Sequence, residues 1–307
     1  MTGAALQTEQ YEKLLRDVAP PEERLMRLSK VDLENHYNKD AFLFHHRLHE
    51  HPLFRLDSLF ELCRRLPADS VKLRTGSIPK DAEFDSSLSR YQADLGLEET
   101  IRQFEQTKSY IAIYNPETDA GYRAVIEGLL GEIAVAVADS DPDFTWYSTY
   151  IFLSTEGSLT PYHMDREMNF LFQIKGKKTA KLWGRLDDNV MTSEQRDTLL
   201  TYRELSRPNY HESIEPRASV FELSAGNGVH HPFIAPHLIT TQSALSISLA
   251  ITYRTAQSDL WTDAHHCNCL LRKAGLNPAA VGINRSRDKR KANFIKRLRS
   301  LKRGLPW

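Results

Sequence analysis

A change of hydrophobic period constrains this chain more than any other feature. Between about Asp119 and Val137, the residues Tyr122, Val125, Ile126, Leu129, Leu130, Ile133 and Val137 recur at i, i+3, i+4 and i+7. That spacing predicts an amphipathic helix. Beyond it the period falls from 3.6 to 2. Strands are expected over Thr145–Leu153, Pro161–Arg166, Met168–Ile174, Lys177–Trp183, Ser219–Leu223 and Leu245–Tyr253. Many short strands joined by turns point to a β-sandwich or barrel. The polar interval Gly184–Arg217 is long for a connection and reads as an insertion or lid.

The first hundred residues read as mostly helical. A weak helical pattern covers Gln7–Val18, and a stronger one covers Leu59–Leu66, with Ser58 and Glu61 forming an S-x-x-E capping box. Val71–Gly76 and Ser109–Tyr114 suit short strands. Helix returns after Asp259, where Phe294, Ile295, Leu298 and Leu301 mark a narrow apolar stripe that ends before Gly304 and Pro306. The expected division is a helical lead-in over 1–100, a β core over 101–255 and a basic helical segment over 256–307.

Composition narrows the setting. With 41% hydrophobic and 26% charged residues, 307 residues can bury a core without disulfides. Only Cys63, Cys267 and Cys269 occur, an odd and sparse set that suits a reducing compartment. Neither a signal peptide nor a membrane span is legible, so a cytoplasmic address is expected. Arg285 to Trp307 holds ten Lys/Arg and one acid, about +9, against 30 bases and 39 acids elsewhere, about −9.

The chemistry concentrates in Thr160–Lys178. His163 and Asp165 lie two residues apart, so on a strand both side chains leave one face. An imidazole and a carboxylate are two of the three ligands of a non-haem iron(II) facial triad, whose third is another histidine. If Lys175-Gly176 is a two-residue hairpin turn, Gln173 faces Lys178. Asn169, Leu171, Gln173, Lys178, Ala180 and Leu182 then share a face, and Phe170, Phe172 and Ile174 take the other with Lys177, Thr179 and Lys181. An amine among leucines calls for an anionic partner. For the third ligand, the stretch Ala225–His237 offers His230, His231 and His237.

The run Thr160–Lys178 fits T-P-x-H-x-D-x-x-x-N-x-x-x-Q-x-x-G-x-K, and Gly226–His237 fits G-D-x-x-x-x-P-x-x-x-x-H with Asn227 in place of the aspartate. In these motifs the chain resembles the JmjC/cupin-like 2-oxoglutarate oxygenases, most closely the branch containing the asparaginyl hydroxylase of hypoxia-inducible factor. His51-Pro-Leu-Phe and Leu-Cys-Arg-Arg-Leu-Pro67 look like the lead-in of bacterial cupin-like relatives, so the resemblance spans roughly Pro52 to Arg254. It implies a mainly β fold with flanking helices around a double-stranded β-helix, or jelly-roll, core. It also implies iron(II) held by His163, Asp165 and His237, with dioxygen as oxidant. Contacts to 2-oxoglutarate are implied from Lys178, Thr160, Asn169 and a tyrosine, Tyr110 or Tyr114. The implied reaction is hydroxylation of an amino-acid side chain in a protein or peptide. A free amino acid or natural-product substrate, and a non-catalytic metal-binding sensor or scaffold, are the alternatives. An asparagine often found on the last core strand is Ala250 here.

Three features have blander readings. His45, His46, His49 and His51 lack the acids or cysteines of a recognisable metal site and read as a solvated helix or loop. Cys267-Asn-Cys269, after His265 and His266, reads as structural rather than as a zinc site. For the basic tail, a packed or dimer-forming amphipathic helix ranks first, because the related hydroxylase pairs two subunits through C-terminal helices. Docking on the chain's own acidic surface ranks second. Nucleic-acid binding ranks third, since no aromatic stacking platform accompanies the bases.

Overall fold

The change of period is realised as two facing antiparallel sheets with flanking helices. The computed structural model describes residues 3–75, 78–82, 96–104, 106, 109–202 and 210–303. The first part of the chain supplies β1 (Ala4–Ala5), β2 (Met26–Arg27), β3 (Phe42–His46) and β4 (Val71–Thr75). Among them lie α1 (Thr8–Arg16), α2 (Lys30–His36) and α3 (Leu56–Arg65), followed by α4 (Leu97–Arg102). Next come β5 (Ser109–Tyr114) and α5 (Ala120–Val137), the latter capped by Asp119, which accepts from the Gly121 and Tyr122 N–H groups. The strand-rich stretch runs β6 (Phe144–Ser154), β7 (Leu159–His163), β8 (Met168–Lys175) and β9 (Lys177–Leu182). After α6 (Ser193–Tyr202) it continues with β10 (Ser219–Ser224), β11 (Asn227–His231), β12 (His237–Thr241) and β13 (Ser246–Thr255). Two helices, α7 (Ala256–Lys273) and α8 (Arg285–Arg303), follow.

The larger sheet has the order β2-β3-β11-β8-β13-β6-β5-β4, with β1 beside β6, and the smaller has the order β10-β9-β12-β7. From β6 to β13 every step except β9 to β10 crosses from one sheet to the other. That alternation winds the chain into a double-stranded β-helix, so the fold is mainly β with flanking helices around a jelly-roll core. Phe170, Phe172 and Ile174 of β8 point outward onto the helical layer, where Ile126, Leu129, Leu130 and Ile133 of α5 belong to the same core. Full burial of such side chains contributes about 1.5–3 kcal/mol each. A smaller cluster, including Leu171, Ala180, Leu182, Val229 and Ala250, fills part of the space between the sheets.

The expected hairpin at Lys175-Gly176 does not form. Strand β8 pairs with β11 and β13, whereas β9 pairs with β10 and β12 in the opposite sheet. Gly176 carries the crossing with φ +74°, and a Cβ there would lie 2.1 Å from the Leu245 carbonyl oxygen. Neither the conformation nor the space admits a side chain. The inward set is nevertheless retained, because strands facing each other across a sandwich share its interior much as neighbours share a face.

Other expectations shift. Helix α3 begins at Leu56 rather than Leu59, and Ser58 lies inside it, its hydroxyl donating to the Pro52 carbonyl instead of forming a capping box. The histidine cluster is not a solvated helix or loop at its start. Phe42, Phe44 and His46 alternate onto the helical-layer face of β3, beside Phe170 and Phe172, and β3 pairs with β11. His46 is fully engaged, bonding the Asn227 carbonyl through Nε2 and accepting from the Leu48 N–H at Nδ1. The interval Gly184–Arg217 contains α6, whose Leu199 and Leu200 are buried. At the C-terminus the apolar stripe divides: Ile295 is buried, while Phe294 is 54% and Leu301 69% exposed. Arg299 reaches Asp263 of α7 at 2.6 Å, fastening α8 to its own chain. Among the described residues, no helix is long and apolar enough to cross a membrane.

Candidate metal centre

Strands β7 and β12 pair with His237 opposite His163, and the ladder shifts register between His237 and Ile239. The two imidazoles therefore leave neighbouring strands into the space between the sheets, ring centroids 4.1 Å apart. Asp165 lies two residues past the end of β7, not within a strand extending to Arg166, so the turn rather than strand alternation delivers its carboxylate. One Asp165 oxygen is 3.9 Å from His163 Nε2 and the other 3.7 Å from His237 Nε2. Among the described residues these three form the group of His, Cys, Asp and Glu side chains able to hold a metal, with donor atoms within 4.8 Å of one another.

Backbone carbonyls set the rings. His163 Nδ1 donates to the Pro161 carbonyl at 2.7 Å, and His237 Nδ1 donates to the Ala235 carbonyl at 3.1 Å. Each bond puts the proton on Nδ1 and the lone pair on Nε2, the nitrogen turned towards Asp165. Two neutral imidazoles and a carboxylate suit a divalent first-row transition metal and leave room for further ligands.

These residues border a cavity of about 460 Å³ that also reaches Lys178, Tyr110, Tyr114 and Asn169. Lys178 is 4% exposed, and its amine donates to Ser248 Oγ at 2.6 Å. No carboxylate among the described residues pairs with it, and burial alone pushes its pKa down to about 7. The Tyr110 and Thr160 hydroxyls lie 3.4 Å apart, with the Arg74 guanidinium 3.9 Å above the Tyr110 ring. Tyr114 instead packs edge-on against Tyr150. The cavity thus brings Lys178, Thr160, Asn169 and Tyr110 together with the three metal-ligand candidates.

The other two histidines of the stretch differ in direction. His230 points away from the cavity, donates from Nδ1 to the Asn169 carbonyl and accepts the Asn38 N–H at Nε2. Burial lowers it to about 3. His231 faces the cavity beside His237. Sequence reasoning misses Glu167 and Ser248. Glu167 lines the cavity, and burial followed by the neighbouring Asp165 charge raises it to about 7. The signal for Ser248 is the alternation of β13, which turns it towards Lys178.

No protein-family model matches the chain, and no curated protein matches it. Among solved structures, the Escherichia coli ribosomal oxygenase YcfD aligns with 92% of this chain and 68% of its own, at 14% identity and a TM-score of 0.45. The same protein in complex with cobalt and 2-oxoglutarate aligns over 92% and 69% at 14% identity, with a TM-score of 0.46. Its complex with cobalt and succinic acid covers the same shares at 15% identity and a TM-score of 0.45.

Proposed function

We propose that this chain is an iron(II)- and 2-oxoglutarate-dependent oxygenase that hydroxylates an unactivated C–H bond. The supporting observation is one cavity that joins a His-Asp-His donor set to a buried lysine lacking any carboxylate partner among the described residues. A structural lysine at 4% exposure would normally be paired, because a lone buried charge is costly. An incoming carboxylate supplies that pairing.

In this reading His163, Asp165 and His237 hold the iron, and the Nδ1 bonds to Pro161 and Ala235 keep both imidazoles in the ligating tautomer. Lys178 and Ser248 receive the distal carboxylate of 2-oxoglutarate, with Thr160, Tyr110 and Asn169 along its length. When bound, iron(II) with dioxygen supplies the oxidative decarboxylation of 2-oxoglutarate to succinate and the oxidising power for hydroxylation. The protein positions both substrates and excludes water. The substrate class is an amino-acid side chain of a protein or peptide, as the motif resemblance implies. A free amino acid or natural-product intermediate is the alternative.

The test is succinate formation from 2-oxoglutarate with iron(II), with and without candidate peptides and amino acids. Stimulation by a peptide with mass gain of one oxygen is the expected outcome. Iron binding with no succinate under any condition would instead identify a metal-binding sensor or scaffold.

A further inference from the structure

His231 lines the cavity without a role in that reading. His231 ends β11 and pairs across the ladder with Asn169 of β8. It is 3% exposed, and its ring meets the His237 ring edge-on with centroids 4.5 Å apart. Neither of its nitrogens has a hydrogen-bond partner among the described residues. His230, one residue earlier and fully buried, has both nitrogens bonded. Buried polar atoms in native proteins are overwhelmingly paired, and the exceptions call for an explanation. A valine or phenylalanine would fill this position without that penalty. A histidine here therefore points to a guest.

The location narrows what the guest is. The donors gathered within 4.8 Å are those of His163, Asp165 and His237, without His231. His231 thus stands outside the donor set, beside His237 on the wall of the same cavity. A neutral imidazole has one N–H to donate and one lone pair to accept with. A 2-oxo dicarboxylate has two charged ends, and Lys178 serves only one.

Resting on the oxygenase reading, we infer that His231 binds the carboxylate of the 2-oxo acid that chelates the metal, donating an N–H to one of its oxygens. His231 is then a cosubstrate-binding residue and not a fourth metal ligand.

The experiment loads the purified full chain with cobalt(II) and titrates 2-oxoglutarate, following the visible d–d bands. In His231→Phe the ring remains and the donor is lost. This variant should bind 2-oxoglutarate about tenfold more weakly, the loss of one charge-assisted hydrogen bond, with cobalt affinity unchanged within about twofold. His231→Asn, which restores a donor, should recover most of the loss. Equal 2-oxoglutarate affinity in wild type and His231→Phe would overturn the inference, and so would a parallel fall in cobalt affinity, the mark of a ligand. If His231→Phe does not fold, His231→Leu and His231→Asn make the same comparison. Wild-type protein that binds cobalt but not 2-oxoglutarate would sink the oxygenase reading itself, a result distinct from failure at His231.

Discussion

Among the described residues, two clusters of histidine and aspartate are built in opposite ways. Between α6 and α7, Asp197 is wholly buried and every oxygen is used. Its Oδ1 accepts from His265 Nδ1 at 2.7 Å and Asn268 Nδ2 at 3.2 Å, and its Oδ2 accepts from Arg272 Nε at 2.9 Å. The carboxylate is thus fully engaged within the fold, and it accounts for His265 without any zinc. In the jelly roll, Asp165 lies 3.7 and 3.9 Å from the imidazoles, too far for hydrogen bonds, while their Nδ1 atoms are tied to carbonyls. Similar residues thus make a bolt in one place and a socket in the other. Closure of the hydrogen bonds, more than residue type, separates them.

The largest expected effect is at the socket. Asp165→Ala should abolish iron binding and succinate formation, while the metal-free protein keeps its stability to within about 1 kcal/mol. Asp197→Ala should do the reverse. It strands Arg272 and His265 and should cost about 3 kcal/mol in urea unfolding, the low end for a broken buried pair because Arg272 retains some solvent contact. Metal affinity per folded molecule should not change. An Asp165→Ala protein that unfolds, or an Asp197→Ala protein that folds normally but loses iron, would break the comparison.

Much of the socket is legible in the amino-acid sequence, and little of the bolt is. The closeness of His163 and Asp165 in sequence, and the lysine set among leucines, are local patterns, although the turn after β7 and not strand alternation delivers Asp165. The hairpin route to Lys178 is nonetheless wrong, since a hairpin and a sheet-to-sheet crossing at Gly176 give the same inward set. The choice among His230, His231 and His237 rests on resemblance, because β11 is Asn-Gly-Val-His-His and carries little apolar alternation. For the same reason β3 escapes a reading by pattern: its buried positions include His46, a polar residue whose burial depends on two bonds to distant and neighbouring backbone. The Asp197–His265 cluster joins residues 68 positions apart, and nothing local announces it.

Lys178 sharpens the comparison on the socket side, as a cation whose sole hydrogen-bond acceptor among the described residues is Ser248. Lys178→Ala should raise the apparent KM for 2-oxoglutarate roughly 10- to 100-fold, with iron affinity unchanged. Its titration gives a smaller, graded effect. The folded-state pKa is about 7 against 10.5 for an unperturbed lysine, so between these values the unfolded chain holds more protons. Stability from this group therefore rises with pH across that window. Affinity for 2-oxoglutarate should move the other way, falling by up to about tenfold per unit above pH 7 as the free amine loses its charge. Calorimetric titration between pH 6 and pH 9 measures it, and Lys178→Ala should flatten the profile. A pH-independent affinity in the wild type would mean that the amine is not the carboxylate's partner.

The smallest effect is expected at Asn227, which stands where the resembling family has an aspartate. It lies close in sequence to His237, yet its side chain is spent inside the turn: Oδ1 accepts the Ser224 N–H at 2.9 Å, next to Gly226 at φ +93°. Its carbonyl is taken by His46. By the rule of closure it belongs with the bolt, despite being a neighbour of the socket. A carboxylate can accept the same N–H with the same reach. Asn227→Asp should therefore change stability by less than about 0.5 kcal/mol and leave iron and 2-oxoglutarate binding as they are. Asn227→Ala removes the acceptor and should cost about 1 kcal/mol, again without touching cosubstrate affinity. A change in 2-oxoglutarate binding in either variant would show that this turn reaches the cavity, and that closed hydrogen bonds do not by themselves mark a residue as structural.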